Sequence, residues 1–147
     1  RCRFSEFFHG YAQGEDLEMS RRVAREYELR WCGDAHVIHD HAAEGRPPRF
    51  EHGRMSIRNR YFIWKRHSPG ATASVRFRFW ADLMFCIVYD FLATAVRPHR
   101  RQRLAYVAGA VRGVIDCIVA PPRFDEPPPV RVYWFQLENL SVVRTAR

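Results

Sequence analysis

The sequence predicts a mostly helical α/β domain, and two patterns lead to that fold class. Four segments carry apolar residues at helical spacing, whereas two short β-prone runs flank the turn Gly33-Asp34. Proline and glycine residues mark the breaks between these segments. With 147 residues, the chain is long enough to form one domain with a buried core.

The first helix is predicted from Leu17 to Tyr27. Its less polar residues fall on one face of the helix: Leu17, Ser20, Val23, Ala24 and Tyr27. The arginines of the segment lie mostly on other faces, and we interpret them as a solvated surface: Arg21, Arg22 and Arg25.

The two β-prone runs are Leu29–Cys32 and Ala35–His39. His39 closes the second run, and a neutral imidazole at the end of a strand is a common transition-metal ligand. A zinc site drawn from Cys32 and the neighbouring histidines would have none of the standard zinc spacings. We therefore do not expect zinc here.

A polar connection, Asp40–Arg49, contains a Pro-Pro pair and is interpreted as a mobile lid or acceptor loop. A second helix follows from Glu51 to His67. Aromatic residues interleave with its basic stripe, which consists of Arg54, Arg58 and Lys65. Such a surface suits a diphosphate, a membrane interface or RNA, and the spacing does not choose among them.

The apolar segment Arg76–Val96 predicts an amphipathic third helix. Asp82 and Asp90 bound its central uncharged stretch, which is far shorter than the roughly 20 residues that a membrane-spanning helix needs. We expect this helix to pack on the domain or to lie in a membrane interface. One face of it carries Trp80, Met84, Ile87, Val88 and Phe91, opposite Arg78 and Asp82.

The fourth helix is predicted from His99 to Ala120. Its apolar positions at helical spacing are Leu104, Val107, Ala108, Val111, Ile115 and Ile118. The basic cluster Arg97–Arg103 lies between the two apolar helices, where it could meet an anionic lipid leaflet. Residues 123–147 form a tail to which the sequence assigns no structure or chemistry.

Charge and cysteine content narrow the classes of partner and compartment. The chain has 24 basic and 16 acidic residues, a formal net charge of +8, and Lys65 is its single lysine. An excess of arginine suits phosphate groups, anionic membrane surfaces or nucleic acid. Four scattered cysteines without a Cys-x-x-Cys pair favour reduced thiols in a cytosolic setting.

The most distinctive stretch runs from Phe7 to Ser20, an aromatic loop followed by the acidic start of a helix. Gly10 and Gly14 permit backbone angles that other residues resist, and Glu15 and Asp16 fall in the first helical turn. A carboxylate held beside aromatic rings can act as a general base or bind sugar hydroxyls. The alternative is that the acidic pair only caps the helix.

Four motifs in this order resemble the C-terminal half of family-2 glycosyltransferases. They are FSEFFHGYAQGEDLEMSRRV, YELRWCGDAHVIH, RNRYFIWKRH and RGVIDCIVAPP. The resemblance extends from Phe4 to about Pro122. It implies a fold of the GT-A type and an inverting transfer of a sugar from a nucleotide-sugar to a glycan or a lipid-linked acceptor.

The resemblance also implies roles for individual residues. Asp16 matches the catalytic base, and Glu15 would orient the acceptor or the base. His39 matches a position that joins a divalent metal, Mg or Mn, in some members. The residues that would bind substrate are Gly10, Tyr11, Gly14, Arg58 and Asn59.

One departure from the family limits this prediction. No Asp-x-Asp metal motif occurs in the chain. We therefore expect a fragment that lacks the donor-binding half and is inactive alone. Residues 1–70 would form the acceptor-side part, residues 71–122 the amphipathic helices, and residues 123–147 the tail. The expected location is cytoplasmic, at the inner face of the cell membrane.

Two other classes of protein remain as alternatives. A basic nucleic-acid-binding module ranks second, on the strength of the positive charge and the helix that interleaves arginine with aromatic residues. A structural helical protein of the membrane interface ranks third, and in that case Asp16 would serve only as part of a helix cap.

Overall fold

A computed structural model describes residues 4–8, 11–34, 36 and 46–123. Within these ranges the chain forms four α-helices and no strand. The helices are α1 (Glu15–Val23), α2 (Arg49–His67), α3 (Ala73–Ala93) and α4 (Arg100–Val119). The mostly helical part of the predicted fold class is therefore confirmed for the described residues.

The strand predicted at Leu29–Cys32 is wrong. Residues 28–32 have no regular structure, and the Trp31 side chain is 95% exposed. A strand needs a hydrogen-bonding neighbour and one buried face, and the described part of the chain offers this run neither. Of the second predicted strand only His36 is described, and it too has no regular structure.

Helices α2 and α4 run parallel with their backbones in contact. Gly109 of α4 lies against the backbone of Phe50, and Gly113, one turn later, lies against that of Arg54. A Cβ atom at Gly109 would overlap the carbonyl oxygen of Phe50. The helix pairing leaves no room for a side chain at Gly109. Gly53 of α2 likewise lies against the backbone of Tyr106 on α4.

An ion pair fixes the register of these two helices. Nε of Arg54 on α2 donates to Oδ2 of Asp116 on α4 at 2.5 Å, and Arg112 contacts Oδ1 of the same carboxylate at 3.1 Å. Burial would raise the pKa of Asp116, but the hydrogen bond and charge of Arg54 outweigh burial and lower it.

Helix α3 covers one side of the α2–α4 pair and completes the main core. That core consists of Ile57, Leu83, Ile87, Val107, Ala110 and Cys117. Aromatic rings of α2 and α3 pack at its edge, where Trp64 stacks on Phe79 with ring centroids 4.3 Å apart. The exposed residues of α3 therefore lie on the side of that helix that faces away from α2 and α4.

A smaller core attaches the N-terminal segment to α2. Phe8, Phe62 and Ile63 are buried together, and the ring of Phe7 stacks on that of Phe62 with centroids 3.8 Å apart. Because Phe62 and Ile63 belong to α2, this cluster holds the aromatic loop against the middle of that helix. The loop that precedes Glu15 therefore has a fixed base.

Helices α3 and α4 are apolar on their outer sides. Helix α4 buries small residues and cysteine, namely Gly109, Ala110, Gly113 and Cys117. Of its predicted apolar stripe, Val107 is buried, whereas Leu104, Val111, Ile115 and Ile118 are 37–67% exposed. The predicted face of α3 divides in the same way: Trp80 and Ile87 pack on the core, and Met84, Val88 and Phe91 are about half exposed.

No helix in the described ranges combines the length and the apolar composition needed to cross a bilayer. In α3 the charged side chains of Arg76, Arg78, Asp82 and Asp90 interrupt the apolar run. This finding agrees with the expectation of amphipathic helices from the sequence.

The buried side of α1 differs from the predicted face. Leu17, which belongs to that face, is 49% exposed, whereas Glu18 is completely buried. The reason is electrostatic, because the Glu18 carboxylate enters a cluster of cationic side chains rather than an apolar surface. That cluster is part of the candidate site.

Candidate functional site

The acidic helix start is shaped by a turn that requires glycine. Gly14 has φ 89°, in the left-handed region that residues with a side chain avoid. A Cβ atom there would also lie 3.1 Å from Cδ1 of Ile63. Directly after the turn, the amide of Glu15 donates to the carbonyl of Ala12 at 3.1 Å. The two carboxylates therefore begin α1 in a defined orientation.

The Asp16 carboxylate is presented to solvent. Its Oδ1 accepts a hydrogen bond from the backbone amide of Leu17 at 2.8 Å, which fixes the carboxylate at the helix start. Its Oδ2 has no hydrogen-bond partner among the described residues. Glu15 is half-buried beside it in the same first turn, where the positive end of the helix dipole favours both negative charges.

Asn59 joins the acidic motif to α2. This side chain is 6% exposed, and its Nδ2 donates to the backbone carbonyl of Gln13 at 2.7 Å. The bond connects positions 46 residues apart in the sequence and meets the chain just before Gly14. Two of the motifs that carry the family resemblance are thus in direct contact.

Arg58 points toward α4 instead of toward the acidic motif. It lies near Asp116 and Cys117, and its charge acts on both groups. Its Nε is buried without a hydrogen-bond partner among the described residues. Because successive helical residues are rotated by about 100°, Asn59 and Arg58 serve different sides of α2.

Tyr11 and His52 connect the aromatic loop to the beginning of α2. Their rings meet edge to face with centroids 5.5 Å apart, and the His52 ring packs in the same way on Tyr106 of α4. Burial lowers the pKa of His52, and the nearby charges of Arg49 and Arg46 lower it further. The 45%-exposed Tyr11 therefore borders a cationic region.

A buried ionic cluster centred on Glu18 anchors α1. Oε2 of Glu18 accepts a hydrogen bond from Nε of Arg22 at 3.0 Å. Its Oε1 lies 3.2 Å from Nε of Arg66, in an ionic contact without hydrogen-bond geometry, and 3.5 Å from Nε2 of His67. Since Arg66 and His67 end α2, this cluster fixes α1 to the C-terminal turn of α2.

The same cluster corrects the interpretation of Arg22 as solvated, whereas Arg21 and Arg25 are exposed as expected. The Arg22 side chain is only 12% exposed. Arg25 donates from Nη2 to the carbonyl of Arg66 at 3.3 Å and approaches Nδ1 of His67 at 3.2 Å. Burial, followed by the charge of Arg25, lowers the pKa of His67 and outweighs the opposing effect of Glu18.

Two of the predicted site residues, Gly10 and His39, lie outside the described residues. Among the residues that are described, no group of three or more His, Cys, Asp or Glu side chains could hold a metal ion. The described residues therefore do not test the metal role predicted for His39.

Two features of the structure were not identified from the sequence, although each has a recognisable spacing in it. Glu18 and Arg22 have the i, i+4 spacing of a helical ion pair. Gly109 and Gly113 have the Gly-x-x-x-Gly spacing that permits close helix contact. The partners of Glu18 on α2 had no such signal, because they lie far away in the sequence.

Comparisons with known proteins found no relative of this chain. It matches no protein-family model, no curated protein and no solved structure. The functional interpretation therefore rests on the four motifs and on the geometry of the described residues.

Proposed function

We propose that this chain is the acceptor-side part of an inverting glycosyltransferase of the GT-A type. The observation that carries the proposal is the bond from Asn59 to the carbonyl of Gln13 at 2.7 Å. This bond joins the Gly14-Glu15-Asp16 motif to the helix that carries Arg58 and Asn59. If the resemblance were due to chance, there would be no reason to expect these two motifs to be in contact.

The proposed reaction uses Asp16 as the general base. A hydroxyl oxygen of the acceptor attacks the anomeric carbon of the sugar, and the bond from that carbon to the diphosphate oxygen breaks. The hydroxyl proton passes to Oδ2 of Asp16, and the bonding electrons leave with the nucleoside diphosphate. Attack from the face opposite the leaving group inverts the configuration, which is why one carboxylate is sufficient.

The local geometry of Asp16 supports this role. Its side chain is exposed, Oδ1 is fixed by the amide of Leu17, and Oδ2 is left available to a substrate hydroxyl. Glu15, half-buried in the same turn, would orient the acceptor. Tyr11 would provide an aromatic side chain on the acceptor side, since its ring contacts His52 and the residue is 45% exposed.

We further propose that donor binding belongs to residues outside this chain. The 147 residues contain no Asp-x-Asp motif, which in the family that the chain resembles holds the divalent metal, Mg or Mn, of the nucleotide-sugar site. The isolated chain should therefore not turn over nucleotide-sugars.

An anionic membrane surface is the proposed partner of α3 and α4. The outward side of α3 carries large exposed residues, including Phe77 and Phe85 at 74% and 72% exposure. The turn between the two helices is basic, with Arg97, Arg100 and Arg101 exposed. Apolar side chains with cations at one end match the interface of an anionic leaflet, and they would place the chain at the membrane periphery.

Nucleic acid remains the second candidate, favoured by the net charge of +8. On α2, the helix that interleaves arginine with aromatic residues, rings are less free for base stacking, because Trp64 already stacks on Phe79 and Tyr61 packs against Trp80. Binding to generic oligonucleotides that weakens with added salt would favour this candidate over sugar transfer.

The stereochemistry of transfer tests the proposed function. In an enzyme that joins this chain to its donor-binding half, NMR of the product should show an anomeric configuration opposite to that of the donor. Retention of configuration would exclude direct attack assisted by one base. Turnover of a nucleotide-sugar by the isolated chain, lost in Asp16→Asn, would contradict the placement of the donor site outside it.

A further inference from the structure

We propose that a cavity at the shared N-terminal end of α2 and α4 binds the phosphate head group of an anionic phospholipid. The cavity has a volume of about 330 Å³ and lies between the first turns of those helices and the last turn of α3. This volume is at the lower end of the range for small-molecule sites and suits one compact polar group.

The walls of the cavity carry excess positive charge. Two arginines, Arg49 and Arg103, line it together with His52 and His99, whereas Asp90 is the single acidic residue among those that line it. Neither Arg49 nor Arg103 forms an ion pair with a carboxylate of the described residues, and Arg103 donates from Nε to the carbonyl of Pro98 at 3.2 Å. Guanidinium groups without a carboxylate partner are suited to phosphate oxygens.

The remaining lining groups also suit an anion. The pKa of His52 is lowered by burial and by the positive charges of Arg49 and Arg46, so its imidazole sits in a positive field as a neutral hydrogen-bond donor. Gln102 and Tyr106 add neutral hydrogen-bonding groups. Because α2 and α4 run parallel and begin at Arg49 and Arg100, the positive ends of both helix dipoles add to the field of these side chains.

The neighbouring surface favours a lipid phosphate over a soluble one. Phe91 and Leu92 directly follow Asp90 and are 53% and 63% exposed, and Val96 in the next turn is 84% exposed. On α4, Leu104 directly follows Arg103 and is 37% exposed. A phospholipid could place its phosphate in the cavity and its acyl chains on these residues, whereas a free phosphate would leave them in water.

The cavity is also adjacent to the acidic loop. His52 lines the cavity and contacts Tyr11, whose loop leads to Glu15 and Asp16. A bound lipid head group would therefore hold the acidic motif close to the membrane surface. The proposal rests on the proposed membrane partner of α3 and α4, but it concerns binding alone and does not depend on sugar transfer.

Vesicle flotation with the full chain tests the proposal. Vesicles of phosphatidylcholine with phosphatidic acid, which presents a phosphate monoester, should bind the chain more tightly than phosphatidylserine vesicles of equal total charge. Arg49→Gln should weaken binding to the phosphatidic acid vesicles about tenfold, the effect of losing one charge-assisted hydrogen bond. Asp90→Asn should strengthen binding, because it removes the negative charge from the cavity wall.

Arg101→Gln is the matched control. Arg101 is exposed in the first turn of α4 and does not line the cavity, so its loss should weaken binding at most about fivefold, as for any cation near a charged leaflet. Equal losses in Arg101→Gln and Arg49→Gln would overturn the proposal in favour of general electrostatic attraction. Weaker binding in Asp90→Asn would overturn it as well.

A second arm distinguishes the source of the phosphate. If inorganic phosphate raised the melting temperature of the chain while phosphatidic acid vesicles failed to bind it, the ligand would be a soluble phosphate and the lipid proposal would be wrong. Circular dichroism verifies that each variant remains helical, and Arg103→Gln replaces Arg49→Gln if the latter does not fold. No sugar donor is present, so failure here would leave the transfer proposal unaffected.

Discussion

Replacing Glu18 by glutamine should destabilise the fold strongly, because it leaves a buried positive cluster without its counter-charge. The Glu18 side chain is 0% exposed, and those of its two arginine partners, Arg22 and Arg66, are 12% and 15% exposed. Removing one partner of a buried ion pair costs about 3–5 kcal/mol. We expect a loss of about 3 kcal/mol, since both arginines retain some contact with water.

The free energy of unfolding, measured by urea titration with far-ultraviolet circular dichroism, provides the assay. Glu26→Gln is the matched control, because Glu26 is an exposed carboxylate just beyond α1, and its loss should cost less than about 0.5 kcal/mol. In a double-mutant cycle, Arg66→Gln should cost less in the Glu18→Gln background than in the wild type. A loss in Glu18→Gln as small as in the control would refute the reasoning.

Three further predictions follow from the packing and the titratable groups. Gly109→Val should lower the free energy of unfolding by about 3 kcal/mol or more, because the valine side chain would overlap the Phe50 carbonyl. Ala108→Val, on the exposed side of α4, is the control and should be nearly neutral. Equal losses of stability in the two variants would contradict the close helix contact. Because the pKa of His67 is lowered in the folded chain, the unfolded chain binds a proton there at a higher pH than the folded chain does. The free energy of unfolding should therefore fall as the pH drops below about 6.5. His67→Gln should reduce the dependence of that free energy on pH, as measured by urea titrations. Burial raises the pKa of the Cys117 thiol to about 11, so mass spectrometry should find iodoacetamide on the exposed Cys32 long before Cys117; comparable labelling would contradict the burial.

The sequence located all four helices because the signals for a helix are local. Apolar periodicity together with proline and glycine breaks placed α2 within two residues of its observed start at Arg49 and at its observed end, His67. The strand at Leu29–Cys32 failed because β-propensity describes a residue that fits a paired, half-buried surface. Other segments of the chain must supply such a surface, and the described residues supply none at the exposed Trp31.

The faces of the helices were harder to predict than the helices themselves. The apolar residues that recur at helical spacing in α4 are mostly exposed, and Gly109 and Gly113 mark its packed side, because close backbone contact selects the smallest residues. Similarly, Glu18 is buried because Arg66 and His67 reach it from α2, 48 and 49 positions later in the chain. Apolar periodicity carries no information about a charge that is neutralised by a distant element.

Part of the candidate site could be predicted from the sequence. The acidic start at Glu15 and Asp16 lies where the sequence placed it, in the first turn of α1. Asn59 was expected to act on a substrate, and the structure adds a positional role, because its side chain holds the loop at Gln13. The cationic cavity beside Tyr11 was not predicted, since its walls come from three helices that are separated in the sequence.

The turnover of Asp16→Asn tests the central claim most directly. In an enzyme that joins this chain to the proposed donor-binding half, kcat for sugar transfer should fall at least about a hundredfold, while the dissociation constant of the nucleotide-sugar should stay nearly unchanged. Asp34→Asn, which replaces an exposed aspartate outside the helices, should retain full activity. Retained transfer by Asp16→Asn would exclude this carboxylate as the base and reduce the acidic motif to a helix cap.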